Sequence, residues 1–156
     1  MKVQEVLERV NWPGVFLTGS RAWGLEKPHS DWDLVCPACM ETQGELLVAE
    51  VWASLTGPDP RASKPAYFHS EIVHADDGQV QLVYLAITDV HVWYHATELM
   101  KVFPLHRGRS KTEVYGIFEG LRALVKLHLS HSGQDFHSVD SLGKLPTFSP
   151  PGITHD

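Results

Sequence analysis

Cysteine is scarce in this chain: two in 156 residues. That is too few for a disulfide framework and makes a reducing compartment, the cytoplasm, the expectation. No apolar run approaches the roughly 18 residues that a membrane span needs. Positive charge is also short. Thirteen Lys and Arg stand against nineteen Asp and Glu, a net charge of −6. A general nucleic-acid coat and a membrane-surface protein both want a basic face, so the balance argues against both, while a local basic groove stays open. The opening MKVQEVLERV interleaves charge with apolar residues and does not read as a signal peptide. What is present is the composition of a globular domain: 43% hydrophobic and 21% charged residues.

The chain shows no internal repeat. Val3, Val6, Leu7 and Val10 recur at helical spacing, and Pro13-Gly14 ends that helix. Val15-Phe16-Leu17 reads as a buried strand broken by Gly19-Ser20, and DWDLVC over 31–36 reads as a second strand. Thr42 with Glu45 forms a capping box before a helix carrying Leu46, Leu47, Trp52 and Leu55. A Pro-rich loop covers 57–66. Strands from Phe68 to His74 and from Val80 to Ala86 flank Asp76-Asp77-Gly78, a hairpin signal. Thr88 is placed to cap a helix to about 101. Ser110 and Glu113 form a second capping box. The helix after it has one apolar stripe: Val114, Ile117, Phe118, Leu121, Leu124 and Val125. The order predicts an α/β (α+β) domain over 1–133, a small mixed sheet of about four strands flanked by helices. Residues 134–156 lack periodicity and form an irregular tail, either disordered or laid over the body.

Residues 15–35, VFLTGSRAWGLEKPHSDWDLV, carry the chemistry. A strand that ends in Gly-Ser and turns into a helix offers unpaired N–H groups to phosphate. Gly19 lets backbone approach closely, and the Ser20 hydroxyl adds a hydrogen bond. Asp31 and Asp33 are two apart in a strand, so their carboxylates share a face. Two adjacent like charges call for a cation, and all-oxygen ligands select Mg²⁺ or Mn²⁺.

Gly19-Ser20, ten residues, then Asp31-x-Asp33 resembles the G-S-x10-D-x-D signature of the DNA polymerase beta nucleotidyltransferase superfamily. Arg21, Ala22, Gly24, Leu25 and Ser30 are similar to its small, minimal members. The match is sharp over 15–35 and rests on element order alone from 36 to about 128. The resemblance implies a nucleotidyltransferase-like fold in which Gly19, Ser20 and Arg21 grip a nucleoside triphosphate and Asp31 and Asp33 hold Mg²⁺. A nucleotidyl group would pass to a hydroxyl of RNA (such as a transfer RNA end), a protein or a small molecule. The family pattern places a third acid near the start of a strand such as 80–86, where this chain has Gln81. With Asp77-Gly78 as the central turn residues, Ala75 pairs Val80 and His74 pairs Gln81, which makes His74 a candidate base or ligand facing the acids. A slip of one residue brings in Glu71 or Asp76 instead. Gln81 has no charge and no basic site. It therefore leaves two readings open, a working transferase or an inactive binding and neutralising module of the same fold.

Other groups are candidates on weaker patterns. Lys64, Arg107, Arg109 and Lys111 are placed to contact polyphosphate or nucleic acid. Trp23 could stack on a base, while Trp32 alternates away from the acids into the core. Cys36-x-x-Cys39 is a possible redox pair or half a zinc site. His91 with His95, and His128 with His131, sit at helical spacings, and each pair reads more simply as ordinary helix residues.

Overall fold

The computed structural model describes residues 1–53 and 69–151. Leu55, the 57–66 loop with Lys64, and Phe68 lie outside the described residues. Four strands form one mixed sheet of order β1-β2-β4-β3: β1 (Phe16–Thr18), β2 (Trp32–Pro37), β3 (Ser70–Ala75) and β4 (Gly78–Leu85). β1 and β3 run antiparallel to their neighbours, and β2 and β4 are parallel. The helices are α1 (Val3–Arg9), α2 (Ser20–Trp23), α3 (Glu41–Trp52), α4 (Ile87–Val102) and α5 (Lys111–Ser130). The fold is thus the small α+β sheet flanked by helices that the pattern of elements predicts.

Alternation along each strand sends side chains to two different cores. Leu34, Cys36, Val73, Val80, Leu82 and Tyr84 face α1 and α3, against Val3, Val6, Leu7, Leu47 and Val51. Phe16 and Val35 face the other way, towards Val90 of α4 and Leu142. Each fully buried Val or Leu contributes about 1.5–3 kcal/mol. α5 packs on α4 through Val114, Phe118 and Val125, with Trp23 of α2 in the same cluster.

The two capping boxes part ways. Ser110 and Glu113 form theirs, with both reciprocal bonds present. Thr42 does not cap. A 3-10 turn over Ala38–Met40 feeds directly into α3, so the helix begins at Glu41 and takes Thr42 inside. The buried face of α3 is Gly44, Leu47, Val48 and Val51, and Leu46 is left exposed. Gly44 explains that rotation, because the Tyr84 ring lies where its side chain would be. A Cβ there would overlap the phenol oxygen and stand 2.7 Å from Cζ. Gly44→Ala gains about 1 kcal/mol of helix propensity but costs up to about 3 kcal/mol of overpacking. We expect a lower Tm by thermal unfolding, with part of the loss recovered in Gly44→Ala/Tyr84→Phe. An unchanged Tm would mean the ring is free to move aside.

Thr88 also lies inside its helix, and its hydroxyl bonds the Phe136 carbonyl at 3.2 Å. Residues 134–151 are laid over the body: Phe136, Ser141 and Leu142 are buried, the last two in a 3-10 helix over Val139–Lys144. Among the described residues no helix is long and apolar enough to cross a membrane.

Candidate functional site

β1 ends at Thr18, whose hydroxyl shares a buried hydrogen bond of 2.9 Å with Thr97 of α4. This anchors the strand end just before the chain turns. Gly19 follows at φ +75°, ψ −162°, a conformation open essentially to glycine alone. A Cβ on it would collide with a carboxylate oxygen of Asp33 and sit 3.2 Å from the Asp33 Cγ. The register explains the contact, since Thr18 pairs with Asp33 across β1 and β2. Gly19→Ala therefore carries two costs, backbone strain of about 1–3 kcal/mol and displacement of the carboxylate. Thermal unfolding should show a clear drop for Gly19→Ala and a smaller one for Ser20→Ala. Equal drops would remove the special place of Gly19.

Asp33 is partly buried at the start of β2, while Asp31 is exposed just before it. Burial pushes the Asp33 carboxyl up from 3.8 to about 6. The neighbouring Asp31 charge adds to the rise, and Lys111, at the first position of α5, opposes it. Among the described residues the site is thus an acidic pair opposed by one named cation, Lys111. Among the described residues no three His, Cys, Asp or Glu side chains converge into a metal cage. Two carboxylates still suit Mg²⁺, which usually keeps several waters and takes one or two carboxylates plus substrate phosphates.

Gln81 lies directly beside Asp33 in the parallel β2–β4 pairing. The far side of β4 differs from the expected register. The central turn residues are Asp76-Asp77, not Asp77-Gly78, so Ala75 pairs Gly78, His74 pairs Gln79, and Ile72 pairs Gln81. The N-terminus selects this turn: Val3 N–H donates to Asp77 at 2.7 Å, and the Met1 ammonium meets Asp76 at 3.2 Å. Each residue of β3 moves by two against β4, an even number, so His74 keeps the Gln81 face. Its Nδ1 is 3.2 Å from Gln79 Nε2. Glu71 is on the opposite face, buried, and accepts a 3.0 Å hydrogen bond from Tyr84. Neither Glu71 nor Asp76 supplies a third acid.

Arg21 braces the loop that carries the acids. Its Nε donates to the Ser30 carbonyl at 3.0 Å and its guanidinium lies 4.1 Å over the Trp32 ring. Trp32 packs partly buried against the α1/α3 core. Trp23 does not offer a stacking face. It is buried, 4.8 Å from the Phe118 ring, because α5 closes over it. Its carbonyl is 3.0 Å from His106 Nε2, which pins the 103–110 loop near α2. No periodicity marks His106 or Thr97, since each acts only through a distant partner. Arg109 meets Glu113 at 3.3 Å, and Arg107 is exposed.

Cys36 and Cys39 are both free thiols. Cys36 is fully buried and its thiol is pushed up by that burial, the opposite of an activated cysteine. His91 and His95 of α4, with His128 of α5, line a cavity far in sequence from the acids.

Comparison with family models, with curated proteins and with solved structures finds no match.

Proposed function

We propose that the protein is a Mg²⁺-dependent nucleotidyltransferase. It would transfer a nucleotidyl group from a nucleoside triphosphate to a hydroxyl of RNA, a protein or a small molecule. The observation that carries this reading is the Asp33 carboxylate, partly buried against the Gly19 turn, with Asp31 raising its pKa and Lys111 the opposing charge among the described residues. Asp31 and Asp33 would hold the ion. Bound there with the triphosphate, Mg²⁺ supplies neutralisation of phosphate charge in the transition state. The Gly19 backbone lies against the Asp33 carboxylate, so a phosphate held by the Gly19-Ser20 turn would sit beside the metal-binding acids. Lys111, exposed at the start of α5 and felt electrostatically at Asp33, is the cation on hand for the same phosphates. Lys64 is a further candidate by sequence.

The second reading keeps the fold and the nucleotide pocket without turnover. Gln81 beside Asp33 favours it, because no general base stands at that position.

The test is incubation of the pure protein with each labelled triphosphate, Mg²⁺ or Mn²⁺, and cellular RNA and protein, next to Asp31→Ala/Asp33→Ala. Label transferred only by the wild type supports the enzyme and names its acceptor. Metal-dependent triphosphate binding without transfer, lost in the variant, supports the inactive module. Neither binding nor transfer overturns both.

A further inference from the structure

A cavity of about 810 Å³ lies between α4, α5 and the segment 134–146, a size in the range of small-molecule sites. Its walls are apolar: Leu99 and Val102 from α4, Leu124, Val125 and Leu129 from α5, and Phe136 from the covering segment. Leu124 and Val102 are each 65% exposed, so the cavity is open to solvent along an apolar lip.

The polar groups in it are unevenly matched. Tyr94, His95 and His128 face the cavity without a hydrogen bond to any described residue. Burial lowers His95, and the His128 beside it acts the same way against the pull of Glu98. The His95 imidazole is then held in its neutral form and offers one N–H donor. His91, also lowered by burial, is spent on Ser141 at 2.9 Å. Lys144 adds a full positive charge. Only one of its three protons is committed, to the Asp135 carbonyl at 2.7 Å. The carboxylate of Asp135 is itself satisfied by Ser138 and by the N–H groups of His137 and Ser138. Glu98, the single carboxylate lining the cavity among the described residues, is held by Lys101 at 2.9 Å. Among the described residues, donors and one cation therefore look into an apolar cavity whose one carboxylate is already paired.

We propose that this cavity binds a small apolar molecule carrying a carboxylate, with the chain against Leu99, Leu124 and Phe136 and the acid group towards Lys144, His95 and His128. A lone ammonium beside apolar walls favours an anion over a neutral group, and the walls favour a hydrocarbon body over a hydrated one. The inference is independent of the nucleotidyltransferase reading, because none of these residues belongs to the acidic site.

The test uses displacement of anilinonaphthalene sulfonate fluorescence by octanoate and by octan-1-ol, on the full chain. Octanoate should displace the dye at least tenfold better than the alcohol. Lys144→Met should remove most of that advantage and leave the alcohol unchanged. Leu124→Trp, at an exposed position that the fold tolerates, should fill the cavity and weaken both. Equal binding of acid and alcohol, or binding indifferent to Leu124→Trp, overturns the proposal. So does a sedimentation coefficient that falls in Leu124→Glu with no octanoate binding to the wild type, which would make the apolar lip a contact between copies of this chain.

Discussion

Asp33→Asn should make the protein more stable and less active at the same time. The carboxyl is pushed from 3.8 up to about 6, chiefly by burial and then by Asp31. A carboxyl raised in the folded state stabilises the fold while it is protonated, below its unfolded value, and loses that contribution as pH rises through the folded value. The loss therefore falls between about pH 4 and about pH 6. Above that window the ionised group works against folding. Asparagine has the same shape and no charge, so its Tm should exceed the wild type's at pH 8 and approach it near pH 4. Mg²⁺ should raise the wild-type Tm at pH 8, because a ligand of the native state stabilises by mass action. It should leave Asp33→Asn unmoved. Any transfer activity should fall by about 10²–10⁴-fold, since metal stabilisation of the transition state is worth several kcal/mol. A variant less stable than wild type at pH 8 would mean that Asp33 already has a counter-charge and needs no cation.

Gln81→Asp should have the opposite effect on activity. Gln81 is level with Asp33 on the adjacent parallel strand and shares its face. A carboxylate there would complete a triad of acids and could accept a proton from an attacking hydroxyl. General-base catalysis is typically worth 10²–10⁴-fold. A gain of on the order of 10²-fold in transfer would show that the wild-type site lacks only this group. The same change crowds a third negative charge beside Asp31 and Asp33, so Tm at pH 8 should fall without Mg²⁺ and recover with it. If the wild type transfers well and Gln81→Asp transfers no better, the base lies elsewhere, and the same-face His74 is the next residue to replace. If neither transfers and both bind triphosphate, the inactive module is the reading that stands.

The acidic strand, the Gly-Ser turn before it and the Ser110 cap were legible from residues alone, because each rests on neighbours a few positions away. The same holds for the placing of four strands and five α-helices in order among the described residues. Two local signals misled. Thr42 looked like a cap, but Ala38–Met40 continues into α3 and buries Gly44 against Tyr84. Asp77-Gly78 looked like the centre of the hairpin turn, but the N-terminus binds Asp76 and Asp77 and moves the turn back by one residue.

Local chemistry by itself determined which backbone segments are helix or strand. Those outcomes depend on hydrogen bonds and side-chain periods within a single segment. Only the tertiary structure decided what stands beside them. It set Gln81 next to Asp33, turned Glu71 to the far face, brought Lys111 within electrostatic reach of Asp33, sealed Trp23 under α5, and opened the cavity between α4 and α5. The physical reason is that such contacts join residues tens of positions apart, and packing of whole faces selects among registers and rotations that the local pattern leaves nearly equal in energy.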